Sequence, residues 1–389
     1  MDPEIIMDQV RDIMVVFADR TGLSSDDMPA RRYLWTDAFA VCNFLTLYRR
    51  TGDEKYLRLA LDLVAQVHSV LGRYRDDDPE SGWISGLDER AGAEHPTMGG
   101  LRIGKPLKER KPDELYDERL EWDRDGQYFH YLTKWMHALE RVGVVTGDAI
   151  YIRWAIELAK AAQAAFLNVP VPGGAKSLYW KMSIDLSRPL VPSMGLHDPL
   201  DGFITYSELR TCAQMHPDGT AGLDLASEIS DTAEMCEAKS FATDDSLGVG
   251  GLLFDACRVA QMVAGNHFEP HALAEELLRS SKFGLDAFLR RGTLNAHPES
   301  RLAFRELGLS IGLRAVEKMR GVVWNCRSLF DASLAHQIDV LSEYSPLGGE
   351  IENFWCDTDH QQGTGWQAHR DINMVMLATS LAPDEFLSI

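Results

Sequence analysis

The stretch Thr51-Gly52-Asp53-Glu54-Lys55-Tyr56-Leu57-Arg58-Leu59-Ala60-Leu61-Asp62-Leu63 returns 95 residues later as Thr146-Gly147-Asp148-Ala149-Ile150-Tyr151-Ile152-Arg153-Trp154-Ala155-Ile156-Glu157-Leu158. Tyrosine, arginine, alanine and the aliphatic positions keep their places in both copies. A Thr-Gly-Asp triplet between two apolar-periodic segments reads as a tight turn. Glycine takes the left-handed backbone that closes one helix, and aspartate caps the next. A helix–turn–helix unit that recurs is the signature of a repeat architecture.

Working outward, helical periodicity dominates the chain and alternating strands are few. It predicts twelve helices, near 4–19, 31–50, 54–72, 125–145, 149–167, 200–215, 221–240, 246–264, 269–291, 299–319, 326–343 and 368–381. Short links (the two Thr-Gly-Asp turns, His216-Pro217-Asp218-Gly219, Gly265-Asn266 and the turn near Gly321) alternate with long ones at 73–124, 168–199 and 344–367. Connections of that length are uncommon in compact domains unless they carry function. If the helices run alternately up and down, all three long links emerge at one end. The expected fold is all-α, an (α/α)6 toroid of six helical hairpins with long loops on one face, formed as a single domain over 1–389. An open solenoid of hairpins gives the same periodicity. The Leu23–Asp27 segment is expected as a loop after the first helix.

The repeat has one mismatch. Trp35 lies 16 residues before Thr51, and Trp122 lies 24 before Thr146. Eight residues is about two helical turns, so the longer copy keeps its facial phase. Both units then begin alike, with Trp35-Thr36-Asp37 and Trp122-Asp123-Arg124-Asp125.

Bulk properties narrow the partners. A net charge of −20 and a pI near 5.0 leave no basic face to replace phosphate counterions, so no nucleic-acid partner is expected. No apolar run in the sequence is long enough to span a bilayer, and the acidic Met1-Asp2-Pro3-Glu4 start is unlike a signal peptide. Six scattered cysteines without a CxxC pair read as reduced, buried thiols. A cytoplasmic location with no membrane partner is the expectation.

Arg31-Arg32-Tyr33-Leu34-Trp35-Thr36-Asp37-Ala38-Phe39, followed by Leu47-Tyr48-Arg49-Arg50 and the Thr-Gly-Asp-x-x-Tyr-Leu turn, resembles the six-hairpin glycosidase superfamily. A more distant likeness is to the N-acylglucosamine 2-epimerase group, which shares that fold. Gly349-Glu350-Ile351-Glu352-Asn353-Phe354-Trp355 is loosely similar to that group's Glu-Ile-Glu-x-x-Trp. The aromatic-Arg-Gly-x-Gly-Trp pattern of unsaturated glucuronyl hydrolases is missing, as are the epimerase histidine motifs. The resemblance therefore implies a helical framework and sugar chemistry, and transfers no catalytic residue.

Sugar chemistry needs carboxylates or histidines for proton transfer and aromatic faces for the ring. The catalytic candidates are Asp37 and Asp125 at the aromatic-rich helix starts, with Glu350 and His369 near the last helix. The substrate-binding candidates are Trp35, Trp122, Tyr128, His95, Arg102, Trp180, Trp355 and Trp366. Arg102 and Lys105 lie in the glycine-rich segment 79–110, which is expected to fold over a pocket. Asp53, Asp201 and Asp244 read mainly as helix caps, while His197, Asp198 and Asp245 lie beside them on the expected face. His137 and Trp135 are expected to pack inside.

Neither a metal nor a cofactor is expected. Asp357-x-Asp359-His360 lacks the surroundings of a recognised metal motif, and Gly99-Gly100-x-x-x-Gly104-Lys105 lacks the spacing of a phosphate loop.

Three functions follow. The first is a glycoside hydrolase acting on a small carbohydrate by paired carboxylates. The second is a metal-independent sugar 2-epimerase or aldose–ketose isomerase with histidine bases such as His130 or His369. The third is a noncatalytic toroid serving as a binding or scaffold protein.

Overall fold

A computed structural model describes residues 3–24, 28–171, 174–237, 239–265 and 271–389. The positions expected as a loop at Ser25–Asp27, and Asn266 of one short link, lie outside the described residues. In chain order the helices begin with α1 (Pro3–Arg20), α2 (Leu34–Thr51), α3 (Glu54–Leu71), α4 (Glu89–Glu94), α5 (Glu118–Asp123), α6 (Phe129–Thr146), α7 (Ala149–Phe166) and α8 (Asp198–Met215). They continue with α9 (Pro217–Thr220), α10 (Ala226–Cys236), α11 (Ser246–Ala264), α12 (His271–Arg290), α13 (Ala303–Asn325), α14 (Ala332–Ser342), α15 (Ser345–Cys356), α16 (Thr364–Ala368) and α17 (Arg370–Leu381). The few strands are two or three residues long: β1 (Gln127–Tyr128), β2 (Leu167–Asn168), β3 (Ser177–Leu178), β4 (Lys181–Met182) and β5 (Pro189–Val191). The protein is all-α, as the periodicity requires, and each of the twelve expected helices is present.

The two Thr-Gly-Asp turns are built alike. Gly52 and Gly147 take φ of +70° and +72°. Asp53 accepts from the Lys55 amide at 3.0 Å, and Asp148 from the Ile150 amide at 3.0 Å. The threonines return their hydroxyls to Leu47 and Val142, each at 2.7 Å. These aspartates are caps, and the equivalent residues Ala60 and Ala155, and Leu63 and Leu158, are fully buried.

The chain divides into two compact units. One comprises 1–17, 46–52 and 240–389, and the other 18–45 and 53–239. In the first, α11 and α13 pack backbone to backbone. A Cβ on Gly250 would stand 2.0 Å from the Gly308 carbonyl oxygen, and one on Gly312 would stand 2.6 Å from the Gly250 Cα. Among the described residues one helix, α11, is long and apolar enough to cross a membrane, and 72% of that stretch is buried inside the protein.

The long link 344–367 carries α15 and α16, which periodicity did not reveal. α15 is short, and its buried face (Gly348, Ile351, Glu352, Trp355) includes a glycine and a charge.

In the second unit α6 packs on α7 and α8, and α8 on α10. α8 is buried on nearly all sides, including Asp198, Asp201, Glu208 and Thr211. Such a helix has no polar face to give it amphipathic periodicity. The long links 73–124 and 168–199 stay largely irregular but are pinned. β1 pairs antiparallel with β4, and β4 with β5, so a small sheet ties the second link to the segment that opens α6.

Candidate functional site

The start of α6 positions the site. Gly126, at φ +147°, lets the backbone pass against Met182, whose carbonyl oxygen would lie 2.7 Å from any Cβ there. β1 follows, and its pairing places Tyr128 opposite Lys181. Gln127 latches the link before it: its Oε1 accepts from the Leu101 amide at 2.8 Å, and its Nε2 donates to the carbonyls of Gly99 and Ile184 at 3.0 and 2.6 Å.

Asp125 is the hub beneath. It has no exposed surface and accepts from the Gly104, Lys105 and Gly126 amides at 3.0, 3.3 and 3.1 Å. Arg102 and Arg75 donate to it at 2.9 and 3.4 Å. A carboxylate with five donors has no lone pair left for a substrate proton. Asp37 is also engaged, accepting from the Tyr33 amide at 2.9 Å and from Arg32 at 3.4 Å, with both side chains buried. The two carboxylates expected to act as a catalytic pair thus hold the ends of α2 and α6 in place.

Above the hub the expected aromatic residues come together with three tyrosine and histidine neighbours. Trp122 and Trp180 meet edge to face at 5.0 Å between ring centroids, and Tyr128 lies 6.0 Å from Trp180. His130 is stacked on Tyr128 at 5.4 Å and 27°, and stands 6.4 Å from Trp180 at 30°. On its other side are Tyr131 at 4.9 Å and Trp35 at 6.1 Å. The hydroxyls of Tyr33 and Tyr131 share a hydrogen bond of 2.7 Å, and the Lys105 ammonium sits over the Tyr33 ring at 5.5 Å. Burial lowers the Lys105 pKa and raises that of Tyr33 to about 12.

Two polar atoms buried in this cluster, Trp35 Nε1 and His130 Nδ1, make no hydrogen bond among the described residues. An unsatisfied buried polar atom is costly. Tyr116, Glu118, Glu121, Trp122, Tyr128, Trp180 and Val191 line an adjoining cleft of about 30 Å³. That holds little more than a water, so the surface open to a ring is the 45%-exposed Trp122.

Two titratable groups outside the expected carboxylate pair meet beside this cluster: His130, the histidine of the second expected function, and Asp198 of the expected face. His130 Nδ1 stands 3.6 Å from Asp198 Oδ1. Burial pushes His130 down to about 4, and burial with the nearby Asp201 charge pushes Asp198 up to about 7. One helical turn on, Asp201 accepts from Lys134 at 2.8 Å. A carboxyl group whose pKa is raised toward neutrality, beside a second carboxylate paired with lysine, is an arrangement for proton transfer. Asp198 is the first residue of α8, within a His-Asp-Pro sequence, and accepts from the Gly195 amide ahead of the helix at 3.2 Å. Its partner on α6 is 68 residues away in sequence, so no local signal joins the two.

Other expected residues lie elsewhere. Arg102, while binding Asp125, lines a separate open cavity of about 500 Å³ with Ser69, Arg73, Tyr74, Arg75 and Asp77. His95 pairs with Glu157 of α7 at 2.7 Å.

In the first compact unit Trp355 is fully buried. Its indole donates to Glu306 at 2.8 Å and stacks on buried Trp366 at 5.6 Å. These two tryptophans are core, not a sugar platform. Glu350 is exposed, while Glu352 beside it is buried and accepts from Ser310, Ser380 and Arg314 at 2.8, 2.8 and 2.6 Å. His369 is exposed and set edge-on to Phe304 at 5.6 Å.

No family model matches the chain, and no curated protein is significantly similar to it.

Proposed function

We propose that this chain is a cytoplasmic carbohydrate-active enzyme of the six-hairpin type, and that it hydrolyses a small glycoside. The observation that carries the reading is the His130–Asp198 pair set inside a ring of aromatic side chains. Asp198, protonated up to about pH 7, is the general acid toward the glycosidic oxygen. Asp201, paired with Lys134, is the second carboxylate, which accepts the proton of the attacking water. Trp122, Tyr128 and Trp180 supply faces for the sugar, and Trp35 Nε1 supplies a buried donor for one of its hydroxyls.

A second reading rests on one observation. His130 Nδ1 is unbonded and its imidazole is neutral at physiological pH, the state required of a base that removes a proton from carbon. Epimerisation or isomerisation of a free sugar would use it.

Incubation with a panel of small glycosides and free aldoses, followed by proton NMR, separates the readings. New reducing-end signals that vanish in Asp198→Asn support hydrolysis. Interconversion without bond cleavage, with solvent deuterium entering at carbon and lost in His130→Gln, supports the second. Sugar binding without turnover would leave a noncatalytic binding protein.

A further inference from the structure

The glycine-rich segment that was expected to fold over a pocket carries two cations, and the structure separates them. Arg102 is spent: its guanidinium donates to Asp125 and to the carbonyls of Arg73 and Val70 at 2.9, 3.0 and 2.9 Å. Lys105 is not. Among the described residues its ammonium has no hydrogen bond and no ion pair, and meets the Tyr33 ring at 5.5 Å.

The backbone of Lys105 is nonetheless clamped from both sides. Its amide donates to Asp125 at 3.3 Å, and its carbonyl accepts from Arg75 at 2.7 Å. Gly104 before it lies against Arg32, whose carbonyl oxygen would stand 2.2 Å from any Cβ there. The side chain is thus delivered, half-buried, to the edge of the aromatic cluster with its charge unmatched. Asp123 and Asp125 attract it without contacting it, and Asp125 already holds two arginines. An ammonium partly withdrawn from water is stabilised by a charge-assisted hydrogen bond to an anion.

From this unmatched charge beside the aromatic cluster, we infer that Lys105 and the Tyr33 hydroxyl form a subsite for an oxyanion carried by the sugar, a phosphate monoester or a carboxylate. The inference rests on the carbohydrate reading of the adjoining site. The hydroxyls of Tyr33 and Tyr131 use one proton for the bond between them, so with Tyr131 donating, Tyr33 keeps its own for the anion. Burial, which raises the Tyr33 pKa to about 12, keeps that proton in place. From Tyr33 the ring contacts run to Tyr131 at 5.7 Å and on to His130 at 4.9 Å. The anion is therefore held two rings from the proposed acid–base pair, where binding at a remote group orients the reacting carbon. On a chain of net charge −20 an anion must be met by a cation that no carboxylate has taken, and Lys105 is one.

The test is calorimetric titration of the full chain with glucose 6-phosphate, glucuronate and glucose, none of which has a glycosidic bond to cleave. One charged sugar should bind at least about tenfold more tightly than glucose, and the tighter of the two identifies the group. Lys105→Met should abolish the preference and Lys105→Arg should keep part of it. The clamp uses only the main chain of residue 105, so both variants preserve it. Inorganic phosphate titrated alone is the probe that needs no sugar. Equal affinity for all three sugars, or a preference that survives Lys105→Met, overturns the subsite and leaves the carbohydrate reading standing. Phosphate binding that Lys105→Met abolishes, with no sugar bound, supports the subsite and removes the carbohydrate reading. Failure of every charged probe to bind overturns the subsite.

Discussion

His130 Nδ1 and Asp198 Oδ1 stand 3.6 Å apart, and burial drives both groups toward neutrality from opposite sides. Their effects on stability therefore oppose each other. His130, with its pKa lowered to about 4, binds fewer protons folded than unfolded, so its contribution rises with pH from about 4 to its ordinary value of 6.5. Asp198, with its pKa raised from 3.8 to about 7, binds more protons folded, so its contribution falls with pH across that interval. The wild-type chain should be nearly flat in this window. Asp198→Asn should gain stability as pH rises from 4 to 6.5, and His130→Gln should lose it from 4 to 7, each by roughly 3–4 kcal/mol. Urea midpoints at a series of pH values measure this, and parallel curves for the three proteins would refute it.

Activity should carry the same signature. With Asp198 as general acid, kcat/KM falls as pH rises through about 7. Asp198→Asn should reduce kcat by about a hundredfold or more and abolish that limb of the profile.

Asp125→Asn should damage the fold before the chemistry. It leaves Arg102 and Arg75 facing an amide in a site without exposed surface, at a cost of about 3–5 kcal/mol. A thermal melt reads the loss. An unchanged melt with abolished turnover would return Asp125 to a catalytic role.

The tryptophans should divide by location. Trp122→Ala, at a 45%-exposed position, should raise KM several-fold with less than about 1 kcal/mol of destabilisation. Trp355→Ala opens a cavity and strips Glu306 of a donor, and should cost about 3–5 kcal/mol. Paired KM and urea measurements distinguish them.

Gly250→Ala tests the helix crossing. Its methyl group would meet the Gly308 carbonyl, so α11 and α13 must part at a cost of about 1–3 kcal/mol. The same change at Gly251, which has open space around its Cβ position, should be neutral or slightly stabilising. Equal melting temperatures for the two variants would exclude the close crossing.

The framework was legible because Thr-Gly-Asp turns and long helices announce themselves locally. The aromatic cluster of the candidate site was legible in part: Trp35, Trp122, Tyr128 and Trp180 stand at helix starts or in a long link, and the fold brings them together. What misled was charge. An aspartate at a helix start looks the same in sequence whatever it meets in the fold, and Asp37, Asp125 and Asp198 differ only in partners that tertiary packing brings. Trp355 and Trp366 lay in a segment expected to be open loop, and the unforeseen α15 and α16 are what bury them.

β1 and β4 pair residues 127–128 with 181–182, and Lys181 reaches back to the carbonyls of Glu121 and Arg124 at 2.7 and 2.8 Å. During synthesis the α6–α7 hairpin can close as soon as it emerges, because its contacts are local. The aromatic ring cannot. It waits for the segment from Ser177 to Val191, so a chain stalled after α7 would be largely helical yet lack the partner strand that sets Tyr128 against Trp180.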